Sequence, residues 1–114
     1  MSVEAELQIS RSQYASDTKA RMAAAIVELQ AIEKAETDEI DAAGEMLDKQ
    51  SQVAHEAGFE GISRLCRDMR LFLSEARGQH HSRLTIVARK LLDVCRTVQL
   101  HADAVGRCGM PELV

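Results

Sequence analysis

From position 84 to 105 apolar residues return in steps of three and four: Leu84, Val87/Ala88, Leu91, Val94/Cys95, Val98, Ala102 and Val105. Steps of that size follow the 3.6-residue turn of an α-helix and place the side chains on one face, whereas a strand needs alternation by twos. Little in the rest of the chain interrupts such a pattern. There is one Pro (Pro111) and there are six Gly, while a β-sheet protein needs turn residues every ten or so positions. Only Tyr14, Phe59 and Phe72 are aromatic; the remaining apolar residues are Ala, Leu, Met, Val, Ile and Cys, set among Glu, Lys, Arg and Gln. Most of these lose little side-chain entropy in a helix.

Three further helices can be read upstream. The first covers about 2–35, with the stripe Tyr14, Thr18, Met22, Ala25, Leu29 and Ile32. The second starts near Thr37, with Thr37 or Asp38 as its cap and Asp38, Glu39 and Asp41 at the positive end of its dipole. Its stripe of Ile40, Ala43, Leu47, Gln50, Ala54 and Ala57 is small in volume, is interrupted by Gln50, and ends at Gly58. The third carries Ile62, Leu65, Cys66, Met69, Phe72, Leu73 and Ala76 and stops at Arg77-Gly78, after which Ser82 can cap the fourth. Short loops make successive helices antiparallel neighbours. The expected fold is therefore all-α, an up-down-up-down antiparallel four-helix bundle. At 114 residues it forms one domain over 1–114, with a frayed N-terminal extension over about 1–11 and a loose tail over about 107–114.

Several function classes are disfavoured. The acidic N-terminus has no apolar run behind it, and no stretch approaches the ~18 apolar residues of a membrane span. Cys66, Cys95 and Cys108 are odd in number and lack a CxxC pair, which fits reduced thiols in a cytoplasm, with Cys66 and Cys95 as small core residues. Between Glu28 and Asp48 there are eight acids against one Lys; between Arg64 and Arg96 there are eight basic residues against three acids. Neighbouring helices of complementary charge account for this, and a net charge of −4 argues against nucleic acid as a partner. No Glu stands three residues before His55, His80, His81 or His101, so the Glu-x-x-His pairs of helical di-iron bundles are missing, and Gln52 before His55 offers only an amide. His80-His81 is read as surface loop. Without a nucleophile elbow or a phosphate-cradling loop, the expectation is a non-enzyme with no metal and no cofactor.

The run Leu47-Asp48-Lys49-Gln50-Ser51-Gln52-Val53-Ala54-His55-Glu56-Ala57-Gly58-Phe59, followed by Ile62, Leu65-Cys66 and Met69, resembles histidine phosphotransfer (HPt) domains. Those domains are four-helix bundles of about this size whose second helix carries His-x-x-Lys-Gly before a Gly-apolar bend. At residue level the resemblance covers about 47–77. Counted back from Gly58, the position of the phospho-accepting histidine is Asp48, while the Lys and Gly of the motif fall on Ser51 and Gln52. An Asp cannot replace the imidazole nucleophile without an acidic metal-binding pocket, and Gln52 fills the space the Gly leaves for a partner. His55, two turns on, points to nearly the same side and is the remaining candidate phospho-acceptor, although Gly58 stands where a Lys should follow. The resemblance thus implies a degenerate HPt domain that docks a receiver domain or histidine kinase without carrying phosphate, through Asp48, Lys49, Gln52, Val53 and Glu56. The alternative is a structural or assembly protein that homo-oligomerises through exposed apolar residues of the fourth helix, Ile86, Leu92 and Leu100.

Overall fold

The computed structural model describes residues 3–78 and 81–108, with side chains over 10–78 and 82–107. These residues form four α-helices and no strand: α1 (Val3–Glu33), α2 (Asp41–Glu56), α3 (Glu60–Arg77) and α4 (His81–Cys108). Each helix packs on its neighbours in sequence, and α4 closes the ring on α1, giving the up-down-up-down antiparallel bundle. The stretch expected to fray is already helical at Val3, and the tail expected from about 107 begins with two helical residues; 109–114 lie outside the described residues, as does His80. His81 opens α4, and Ser82 lies inside that helix and does not cap it.

Most of the expected stripe residues form one core, but Ala57, which lies just past the end of α2, and Phe72 are exposed. Met22, Leu29 and Ile32 of α1 meet Leu47 of α2, Met69 and Leu73 of α3, and Leu84, Leu91 and Val98 of α4. Each fully buried aliphatic side chain of this size contributes roughly 2 kcal/mol. Leu92, expected on an exposed face, is buried in the same cluster. α4 has a broad apolar face, and Leu92 sits beside Leu91 on it. Cys66 and Cys95 are core residues, and burial pushes their thiols up to about 12 and about 11, leaving no thiolate near neutrality.

The helices differ in length. The bundle is 54 Å long, and the 31 residues of α1 span about 46 Å of it against about 24 Å for the 16 residues of α2. α1 therefore runs past the α2–α3 turn, with α4 beside it. Ala15 meets Gly106 so closely that a Cβ on the glycine would lie 3.4 Å from that of Ala15, and Lys19 pairs with Asp103 at 2.8 Å.

Two helix ends share one backbone solution. After α2, Gly58 takes a left-handed φ of 89°; its N–H bonds to the His55 carbonyl and that of Phe59 to the Ala54 carbonyl. This double bond pattern closes the helix and fits the residue best able to adopt that φ. After α1 the same pattern recurs around Ala35, with φ of 61°, Ala35 N–H on Ile32 and Glu36 N–H on Ala31. There the Cβ opposes the conformation by about 1 kcal/mol.

α2 begins later than its capping signals suggest. Its N-cap is Ile40, without a side-chain cap, and the Thr37 hydroxyl instead accepts the Glu39 N–H at 3.1 Å in a turn upstream. Burial of Ile40 in the core sets where the helix starts and outweighs the caps at Thr37 and Asp38. Asp41 is left as the first-turn acid. The charge asymmetry of the chain reappears as pairs between helices: Asp41–Arg77, Asp48–Arg70 and Glu33–Arg89.

Candidate functional site: the outer face of α2

The buried side of α2 is made of Ala43, Gly44, Leu47, Gln50, Ser51 and Ala54. Small residues let its backbone approach α3. The Ser51 hydroxyl donates to the Ser63 carbonyl at 2.8 Å and lies 3.1 Å from the Ser63 hydroxyl, so the polar atoms in this seam satisfy one another.

The residues singled out in the sequence occupy the other side of the helix in two groups. Lys49, Gln52 and Glu56 point outward and are exposed, with the Gln52 amide donating to Glu56 at 3.1 Å; Val53 is half-buried at their margin. Asp48 and His55 lie on the edge toward α3. Asp48 is in the middle of α2, its side chain 61% exposed, and accepts a hydrogen bond from Arg70 Nε at 3.3 Å. His55 Nδ1 sits 2.6 Å from Glu60 Oε1. With Asp41, which meets Arg77 at 3.5 Å, these make a ladder at seven-residue steps, each rung reaching α3. The rungs are exposed and each contributes at most about 1 kcal/mol, so they set register more than stability.

Arg70 was not apparent from the sequence. Its guanidinium lies across α2 at Gly44, where a Cβ would come within 2.6 Å of Cζ and Nη1. From there it reaches Asp48 and donates to the Ser74 hydroxyl at 2.7 Å. A glycine inside a helix costs about 1 kcal/mol relative to Ala, and here it provides the space for a cation beside Asp48. The only available signal was that glycine, one turn before Asp48 in an otherwise good helix. Among the described residues no three His, Cys, Asp or Glu side chains gather closely enough to hold a metal ion, so Asp48 stands outside any acidic cluster.

A second cluster lies on the inner side of the same helix. Gln50, fully buried, accepts from Arg21 Nη1 at 2.6 Å through Oε1 and donates through Nε2 to Thr18 Oγ1 at 3.0 Å and Tyr14 Oη at 3.3 Å. Tyr14 Oη lies 2.8 Å from His101 Nε2. Phe59 packs against both rings, tilted at 38° to Tyr14 with centroids 5.1 Å apart and edge-on to His101 at 4.8 Å. Burial raises the Tyr14 phenol and lowers the His101 imidazole, so both are held neutral. The break that Gln50 makes in its apolar stripe was the visible trace of this network. Its partners, drawn from α1 and α4, could not be read from α2 alone. Compared with known protein families, curated proteins and solved structures, the chain matches none.

Proposed function

We propose that the protein is a non-catalytic, HPt-like docking module of a two-component or chemotaxis-type signalling pathway in the cytoplasm. Its outer α2 face binds a receiver domain or histidine kinase without carrying phosphate. The observation that supports this reading is the exposed mid-helix carboxylate of Asp48, the position that the sequence resemblance assigns to the phospho-accepting histidine, beside the open strip of Lys49, Gln52 and Glu56. Arg70 partly neutralises Asp48, and a partner surface therefore meets a hydrogen-bonded ion pair rather than a reactive group. His55 is held by Glu60, and Gly58 at its +3 position supplies no cation to steady a phosphoryl group. The test is to titrate purified receiver domains against the labelled protein and against Gln52→Arg. Binding that Gln52→Arg abolishes is expected, and unchanged binding would remove this face from the proposal. Incubation with a phosphorylated donor kinase checks the non-catalytic part, because acid-labile phosphate on His55 would contradict it.

A second reading, self-assembly, draws on a different observation. Leu100 is 67% exposed and Ile86 46% exposed, both on α4. Sedimentation of the purified protein separates the two readings: a tight dimer or tetramer favours assembly, a monomer the docking module.

A further inference from the structure

The seam between α3 and α4 leaves a large apolar side chain in solvent on each wall. Phe72, which belongs to the apolar stripe of α3, is 57% exposed, and Ile86 faces it from α4. Between them runs a groove of about 370 Å³ whose floor and walls include Leu65, Met69, Val87 and Val94. From Leu65 to Phe72 the α3 wall covers two helical turns, enough to receive apolar anchors spaced i, i+4 and i+7 along a partner helix.

Charge distinguishes among possible occupants. Arg70, Arg77 and Arg89, from the basic half of the chain, are taken up by carboxylates of α2 and α1. The two cations lining the groove, Arg83 and Lys90, have no ion-pair partner among the described residues, and one carboxylate, Asp68, shares the groove with them. A second copy docked through the same groove would bring two net-positive rims together, which opposes a symmetric dimer here. An apolar helix flanked by Asp and Glu meets both the hydrophobic floor and the surplus positive charge. We propose that the α3–α4 groove is a docking site for an acidic amphipathic helix of another protein, on a face separate from the outer face of α2.

The probe is a synthetic, fluorescently labelled helical peptide of roughly 16 residues, long enough to lie along the groove. It carries Leu at i, i+4 and i+7 with Glu on either flank; a control peptide has the same Leu residues and Lys in place of every Glu. Fluorescence anisotropy against the full chain should show saturable binding of the Glu peptide, weakening as salt is raised, and much weaker binding of the Lys peptide. The double variant Arg83→Glu/Lys90→Glu should reduce affinity for the Glu peptide by roughly tenfold or more and reverse the preference between the two peptides. Phe72→Ser and Ile86→Ser alter exposed positions and should each lose binding while retaining the helical circular dichroism of the parent. The proposal is overturned if neither peptide binds, if both bind equally, if the charge reversal leaves the preference unchanged, or if the parent chain is a dimer that Phe72→Ser dissociates. The last result would identify the occupant as a second copy.

Discussion

The two ends of this bundle handle departures from a plain apolar stripe in opposite ways. At the end where α2 turns into α3, buried Gln50 and Thr18 and half-buried Tyr14 and His101 are joined in one hydrogen-bonded network flanked by Phe59. No buried side-chain polar atom lacks a partner among the described residues. Toward the end where α1 meets α2 and α3 meets α4, the exceptions are left unresolved: an alanine holds a left-handed φ, and Phe72 and Ile86 stand in solvent. A polar residue in a core must be fully satisfied or it destabilises the fold, whereas an apolar residue on the surface has little cost and remains available to a partner. Burial and satisfaction therefore mark the cluster that maintains the fold, and exposed apolar surface, at Phe72 and Ile86 and again at Leu100 beside His101, marks what is open to interaction.

The sharpest way to break that contrast is Gln50→Ala. It empties buried volume and strands the Thr18 hydroxyl, and urea unfolding should report a loss of about 3 kcal/mol. A loss under about 1 kcal/mol would show that the network adds little. At the opposite end Ala35→Gly should raise stability, by about 1 kcal/mol in the same assay, because glycine relieves the left-handed strain. No change would mean that the turn relaxes without cost.

Titration probes the closed end without altering its packing. The His101 pKa is lowered by burial, so the folded state binds fewer protons than the unfolded chain around the ordinary value of 6.5. The stabilisation is complete above 6.5 and is lost as pH falls from there through the lower folded pKa. Melting temperature should drop across that window, and the drop should disappear in His101→Phe. Asp103, lowered by its hydrogen bond with Lys19, acts separately below its ordinary 3.8. The smallest change is expected at the open end: Phe72→Ser should leave stability within about 0.5 kcal/mol of the parent, as for most exposed positions. A loss of several times that would place Phe72 among the core residues and close the groove.

Much of the bundle was legible in the sequence because helix periodicity is a local property. The breaks at Ala35, Gly58 and Gly78 and the stripes of α1 and α4 all follow from spacing. The start of α2 was misplaced because two good capping residues, Thr37 and Asp38, compete with the burial of Ile40, and packing between helices decides that competition. Leu92 was misassigned for a related reason: the width of a helix's buried face depends on its neighbours, and α4 is flanked by two. At the candidate site, the positions of Asp48, Lys49, Gln52 and Glu56 on one exposed helix could be read from their spacing. Arg70 could not, since it comes from another helix and reaches Asp48 only because Gly44 has no side chain.

The Gln50 network has a consequence for where protons sit. A guanidinium has hydrogens to give and no lone pair to receive one. Arg21 therefore dictates which end of the Gln50 amide faces it, and the NH₂ end must turn to Thr18 and Tyr14. The Tyr14 oxygen receives a hydrogen from that amide and has one of its own to give; when it gives it to His101 Nε2, 2.8 Å away, the ring proton of the neutral imidazole sits on Nδ1. A charge on α1 thereby orients a buried amide on α2, whose NH₂ end is presented to the tyrosine that meets a histidine of α4.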